Sequence, residues 1–222
     1  MKAYFFNDAR IKSAHNEVEV IVKTLGLNGT EKIVDLFCGI GRHTNILALQ
    51  GYETLGVDFS NSNIISAKKT AQQLDSSAKF IKCDILKFYG SEKFDVALML
   101  WNSFGYYTSI EQNNIVLKNA YNTLNSNGTL CIETEDKEYY NLSEYSVKKT
   151  IDNFKIVKKI KVQDNILNCT WQIFDGKQTN NYTITKMIFS KKEYLDMLTK
   201  IGFSSIRIIA KNMKYIYIIA KK

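Results

Sequence analysis

A chain of 222 residues, 45% hydrophobic and 23% charged, is the size of one soluble domain able to bury a single core, and two full domains are not expected. It contains no run of eighteen apolar residues and no charged-then-apolar leader, so it predicts neither a membrane span nor a secretory signal, and the expected location is the cytoplasm. The formal charge of +8 is unevenly placed: residues 1–111 carry 12 basic and 12 acidic side chains, whereas residues 112–222 carry 18 and 10.

Residues 7–25 predict a helix, because Ile11, Ala14, Val18, Ile21, Val22 and Leu25 recur at helical spacing and Gly26 follows as a stop. The apolar run IVDLF at 33–37 then reads as a strand that ends in a glycine loop before a helical pattern over 43–50. The alternation continues: ETLGVD at 53–58 as a strand, 61–74 as a helix, KFIKCD and FDVALML as strands, 110–124 as a helix, and GTLCIET as a strand. Strands separated by helices through short links predict a doubly wound α/β fold on a mostly parallel sheet. After position 145 the pattern changes. Three stretches rich in β-branched and aromatic residues, 154–163, 166–175 and 181–189, are divided by the turn-like QDN and DGKQTN, which predicts an antiparallel meander inserted over 145–189. Ser190 and Glu193 form a capping box for a helix that stops at Gly202, and two last strands at 205–210 and 215–220 make a hairpin whose final strand runs antiparallel.

Ligands of a doubly wound sheet bind beyond the carboxyl ends of the strands, where the strand order reverses. Four polar features fall at such ends. In DLFCGIGRH, residues 35–43, Gly39 and Gly41 permit positive φ and close backbone approach, although the same pattern also serves as a plain tight turn. Asp58 ends GVDFS, where a carboxylate can accept both hydroxyls of a ribose or cap the next helix. Ser60 is better placed for the cap. Asp84 ends the third strand and can meet an adenine amine or cap a turn. The aromatic segment WNSFGYY, residues 101–107, closes the fourth strand. The four cysteines, Cys38, Cys83, Cys131 and Cys169, have no CxxC or Cys/His spacing, so neither a metal site nor a disulfide framework is expected.

With these residues in order, the chain resembles the class I S-adenosylmethionine-dependent methyltransferases, in particular the small-molecule branch with a CGxGRH loop and an SFGY segment. The resemblance runs through DLFCGIGRH, GVDFS, the KCD aspartate, FDVALMLWNSFGYY, LNSNGTLCIE and YLDMLTKIGF. It implies one Rossmann-like methyltransferase domain over 1–222 with a seven-stranded sheet, its last strand antiparallel, and S-adenosylmethionine as cofactor. It also implies that Asp35, Cys38, Gly39 and Gly41 hold the methionine part, Asp58 the ribose with Phe59 beside it, Asp84 and Ile85 the adenine, and Leu100 and Asn102 the sulfonium side. Arg42 stands where the broad family has a third glycine, as in this branch, and Asn125, Ser126, Asn127 and Gly128 stand in place of a proline and double glycine. A dinucleotide-binding loop needs GxGxxG, but its third glycine position is Thr44. Proline is absent from the chain, which removes NPPY-type adenine and Pro-Cys-type cytosine methylation.

Methyl transfer from a sulfonium is an in-line displacement, so positioning supplies most of the catalysis, and a hydroxyl acceptor gains more from a base than an amine does. The catalytic candidates are His43, Tyr106 and Glu133, with His43 also able to serve only as a support for the loop. Ser103, Phe104, Tyr107, Tyr139 and Trp171 are the expected substrate contacts, and the meander is expected to act as a lid. The reading is methylation of N or O on a small metabolite. Residues 148–222 carry 16 basic and 5 acidic side chains, which would draw an anionic acceptor such as a nucleotide-linked sugar, or simply form a solvated lysine face. The alternatives are tRNA methylation, disfavoured by the scarcity of arginine and the lack of a nucleic-acid module, and a non-catalytic cofactor-binding or assembly protein. No membrane partner is expected, and the chain would be a monomer or a homodimer through the meander.

Overall fold

The computed structural model describes residues 8–89, 92–140, 144–151 and 154–222. In chain order the elements are α1 (Asp8–Leu25), β1 (Lys32–Leu36), α2 (Arg42–Leu49), β2 (Glu53–Asp58), α3 (Asn61–Leu74), β3 (Lys79–Lys82), β4 (Phe94–Met99), α4 (Ile110–Thr123) and β5 (Leu124–Glu135). They continue as β6 (Glu144–Ile151), β7 (Phe154–Gln163), β8 (Ile166–Phe174), β9 (Thr179–Met187), α5 (Lys191–Ile201), β10 (Ser204–Ala210) and β11 (Tyr215–Lys221). The expected start of the first helix at Asn7 lies outside the described residues. Among the described residues no helix is long and apolar enough to cross a membrane.

The main sheet has seven strands in the order β10-β11-β5-β4-β1-β2-β3. Neighbours from β3 to β5 are parallel, while β11 is antiparallel to both β5 and β10. This is the fold class expected from the alternation of elements, including the terminal hairpin. Successive residues of each central strand feed opposite faces, as strand geometry requires. Ile33, Val96, Leu98 and Ile219 pack with Val18 and Ile21 of α1 and Leu47 of α2 on one face. On the other, Val34, Ala97, Ile132 and Ile218 pack with Leu117 of α4 and Leu198 of α5. The order reverses between β1 and β4, so the helices that follow them lie on opposite faces of the sheet and a crevice opens beyond their carboxyl ends.

The inserted meander forms its own antiparallel sheet in the order β6-β7-β8-β9. The sequence pattern predicts only β7, β8 and β9, and β6 adds a fourth strand. Its sequence, EYSVKKTI, exposes Val147 and Lys148 to Thr150, so apolar alternation there is too weak to signal a strand; pairing with β7 supplies the order instead. The sheet is tied to the aromatic segment after β4 where Met187 N–H donates to Gly105 O at 2.7 Å. Gly105 has φ +99, and a Cβ there would stand 2.2 Å from Met187 O, so only glycine allows this approach.

Candidate active site

The crevice is a half-open cavity of about 1130 Å³, walled by the β1–α2 loop, the ends of β2, β4 and β5, one face of the meander and the β10–β11 turn. At its first end, Phe37, Gly39 and Gly41 turn the chain with φ of 67°, 56° and 73°. A Cβ on Gly39 would meet no atom within 4 Å, so this backbone borders open space. A Cβ on Gly41 would meet the Phe80 ring at 2.6 Å and Ala67 at 2.9 Å, so that glycine packs the loop onto β3 and α3 and does not line the cavity.

Asp58 fastens the loop to the second strand. Its carboxylate accepts Gly39 N–H at 2.9 Å, Ser60 N–H at 2.8 Å and Asn63 Nδ2 at 3.3 Å. A carboxylate offers about four acceptor positions, so capacity remains on the cavity side. Ser60, not Asp58, caps α3 by accepting Asn63 N–H. Asp35 is 2% exposed and accepts the Thr44 hydroxyl at 2.6 Å. Burial raises its carboxyl, and the charges of His43 and Arg42 and the Thr44 bond oppose that rise.

His43 Nε2 lies 2.6 Å from Glu17 Oε2, which also receives Arg42 Nη2 at 2.9 Å, and Arg42 stacks 4.6 Å from the centre of the Trp101 ring. Burial would raise Glu17, but the His43 hydrogen bond and the Arg42 and His43 charges overcome it and hold the carboxyl down at about 2. His43 therefore fastens α2 to α1 through one ring nitrogen. Asp84 caps the short turn Ile85–Lys87 by accepting Leu86 N–H at 3.0 Å, and it accepts the Tyr107 hydroxyl at 2.7 Å. Burial and this carboxylate both raise the Tyr107 phenol.

The second end is a charge network. After β4 the chain turns through Trp101 and Asn102, both with positive φ, an unusual conformation for such residues that stores about 1–3 kcal/mol each. It is held because Trp101 N–H donates to Glu133 Oε2 at 3.3 Å and Asn102 N–H to Glu133 O at 3.0 Å. Glu133, 3% exposed, also receives Lys211 Nζ at 2.7 Å. Glu135 receives Lys186 at 3.1 Å and Lys214 at 2.8 Å. Burial would raise Glu135, but these two lysines together with Tyr140 hold it well below the usual carboxylate range. Lys186 is 3% exposed and donates to Asn102 Oδ1, which joins the meander to the end of β4. Tyr106 lines the cavity with a phenol raised by burial and by Glu135.

The cavity gathers Asp35, Cys38, Gly39, Asp58, Phe59, Asp84, Leu100 and Asn102 from the expected cofactor set, the three catalytic candidates His43, Tyr106 and Glu133, and Ser103, Tyr107, Tyr139 and Trp171. Three of the expected residues are not among its lining. Gly41 is a packing glycine. Ile85 is 1% exposed in the core, with its carbonyl accepting Asn119. Phe104 is 1% exposed, with ring centres 5.8 Å from Phe189 and 5.9 Å from Tyr194, so it anchors the aromatic segment from within the core. The residues missed are Arg42, Trp101, Glu135, Tyr140, Lys186, Lys211 and Lys214, and on the meander Lys149 and Lys158. The period-2 alternation of β7 and β8 could have marked the inward side; the lysines on it read as surface charge.

The donor set fits S-adenosylmethionine at the first end. The fit rests on the open space beside Gly39, the remaining acceptor capacity of Asp58, and Ser103 Oγ, buried in the wall with no hydrogen-bond partner among the described residues. Sheet order and site together define a class: an α/β protein with the methyltransferase arrangement of strands. The chain matches the methyltransferase domain family over residues 27–202 and belongs to it.

A glycine/sarcosine N-methyltransferase from Aphanothece halophytica is 28% identical over 120 residues, which cover 53% of this chain and 45% of that one. The chain spans about half the length of the curated relatives it matches. An S-adenosylmethionine-dependent methyltransferase from Clostridium acetobutylicum superposes with a TM-score of 0.80 at 16% identity, over 99% of this chain and 95% of that one. An amino pentose methyltransferase from Micromonospora echinaspora, solved with S-adenosylmethionine bound, gives a TM-score of 0.71 at 13% identity over 95% and 90% of the two chains.

Proposed function

We propose that this protein binds S-adenosylmethionine at the Gly39–Asp58 end of the cavity and methylates a nitrogen of a small metabolite at the other end. The observation that carries the reading is one continuous cavity running from the glycine loop to the meander, its 1130 Å³ exceeding the roughly 300–1,000 Å³ of a single-ligand pocket. Asp58 would hold the ribose, Asp84 with Tyr107 the adenine end, and Leu100 with Asn102 the sulfonium side. When bound, the cofactor supplies a methyl group activated on a cationic sulfur.

The chain's own residues orient and enclose. Asn102 is held by Thr134, Lys186 and Glu135 N–H, which rigidifies the wall where the two ligands would meet. Nitrogen is favoured over oxygen because a neutral amine attacks without a base, and the Glu133 carboxylate is already engaged by Lys211. Tyr106, its phenol raised, stays protonated and can only orient an acceptor. The lysines around Glu135 would disfavour an ammonium ion beside them and so favour the neutral amine that attacks. The similarity in fold to an amino pentose methyltransferase supports an amino sugar as the first acceptor to try. The test is incubation with labelled S-adenosylmethionine and a panel of amino sugars, polyamines, hydroxylated sugars and bulk tRNA. Labelling of an amine is expected. Labelling of tRNA or a hydroxyl alone would overturn the acceptor, and no cofactor binding would overturn the whole reading.

A further inference from the structure

The last inward residue of β9 is a lysine in an apolar row. Lys186 pairs with Leu167 of β8, which pairs in turn with Val162 of β7. An apolar side chain would extend that row, and a buried ion pair can often be replaced by apolar side chains without loss of stability. The pairing of Lys186 with Glu135 at 3.1 Å therefore does not by itself account for an ammonium that is 3% exposed. A second contact gives it a use. Lys186 Nζ donates to Asn102 Oδ1, and the next residue, Met187, donates its N–H to Gly105 O at 2.7 Å. Two consecutive residues of the meander thus grip the turn after β4 at two points.

Asn102 Oδ1 receives three donors: the Thr134 hydroxyl at 3.3 Å, Glu135 N–H at 3.2 Å and Lys186 Nζ. Thr134 accepts the Tyr194 hydroxyl at 3.3 Å, so its own proton is directed onward to the amide. A backbone N–H and an ammonium can only donate, and turning the carboxamide over would set its NH2 against both of them. The group is therefore held one way round. Its Nδ2 has no hydrogen-bond partner among the described residues and belongs to a side chain that lines the cavity. Ser103 Oγ, next in the chain and also in the lining, is buried and likewise without a partner among them. Two of the three donors belong to β5 of the main sheet, and Lys186 is the one that the meander brings. We propose that Lys186 is a positioning residue for methyl transfer: it locks Asn102 so that Nδ2 and the neighbouring Ser103 hydroxyl form the polar step of the wall that meets the ligands. The inference rests on reading this wall as the place where cofactor and acceptor meet. It makes seating of the meander a condition of correct geometry at the transfer site as well as of enclosure.

The test is NMR on the full chain carrying isotope-labelled asparagine, with the Asn102 side-chain amide assigned by its loss in Asn102→Asp. In the wild type this amide should be as rigid as ordered backbone, with an order parameter of about 0.85. A mobile amide would overturn the proposal before any variant is made. Lys186→Met should shift its signals and lower the order parameter below about 0.6, and Lys186→Arg, again a cation that can only donate, should recover most of the wild-type signature. Lys214→Gln removes a lysine from Glu135 but none of the three donors to Asn102, so the amide should stay in place. Equal loss of order in Lys214→Gln and Lys186→Met would trace the effect to Glu135 and overturn the assignment to Lys186. In labelled methyl transfer to the amine that the acceptor panel identifies, Lys186→Met should lower kcat roughly ten- to a hundred-fold with KM within about two-fold. A raised KM with kcat unchanged would also overturn it. A panel in which no amine is labelled sinks the acceptor reading alone, since the order parameters need no acceptor and decide the lock by themselves.

Discussion

At the loop end of the cavity the contacts that shape the wall are short in sequence: Asp35 meets Thr44 across 9 positions, Gly39 meets Asp58 across 19, and Asp84 meets Tyr107 across 23. At the meander end Glu133 meets Lys211 across 78 positions and Asn102 meets Lys186 across 84. The first end is closed by tight turns between adjacent parallel strands and is mostly neutral hydrogen bonding to one carboxylate at a time. The second is closed by ion pairs that exist only after the meander has folded over the sheet and the terminal hairpin has added its turn. A cofactor shared by many enzymes needs the first kind of wall. A particular acceptor needs the second, because loops and insertions can change there without disturbing the sheet.

The contrast can be broken most forcefully at Glu135. Replacing it by Gln leaves Lys186 buried with its counter-charge removed, and loss of one partner from a buried pair costs about 3–5 kcal/mol. Urea denaturation of Glu135→Gln should show that loss. Calorimetry at a temperature where the variant remains folded should find S-adenosylhomocysteine affinity within about two-fold of wild type. A large loss of cofactor affinity would mean that the two ends are not separable.

Asp58→Ala tests the other end. Loss of a ribose contact to a charged acceptor should weaken S-adenosylhomocysteine binding by about 1.5–3 kcal/mol, read by calorimetry. Unchanged cofactor affinity would show that the carboxylate serves only Gly39 and Ser60.

The smallest effect is expected at Glu17, where α1 is pinned beneath the loop. Its carboxyl is depressed from 4.5 to about 2, so its contribution to stability is fully present above about pH 4.5 and is lost as the pH falls toward 2. The contribution is about 2 kcal/mol once solvent screening of a partly exposed group is allowed for. Thermal unfolding between pH 6 and 3 should show the wild-type midpoint falling below pH 4.5, and Glu17→Gln should flatten that fall. An identical acid limb in both proteins would place the depression elsewhere.

Much of the frame is legible in the sequence. The helix over 61–74 was read with its bounds, and the Ser190–Glu193 capping box and the Gly202 stop define α5 as expected. Phe104 misled because an aromatic beside a polar Ser looks like a binding wall; which side of a turn a ring takes depends on Phe189 and Tyr194, which arrive from 85 and 90 positions away. Ile85 and Gly41 misled similarly, since neighbouring residues of a loop can face opposite ways. β6 was missed because a strand at the edge of a lysine-rich sheet need not alternate.

The sequence by itself determined the order of strands and helices, the conformation of the glycine loop and the carboxylates at successive strand ends, because periodicity, capping and turn chemistry act over a few residues. Only the tertiary structure decided that Glu133 and Glu135 meet lysines from the meander and the hairpin, and that Lys158 turns inward. Charge pairing at such separations is set by which surfaces the fold brings together, and a lysine in a sequence looks the same whether it faces bulk water or a cavity wall.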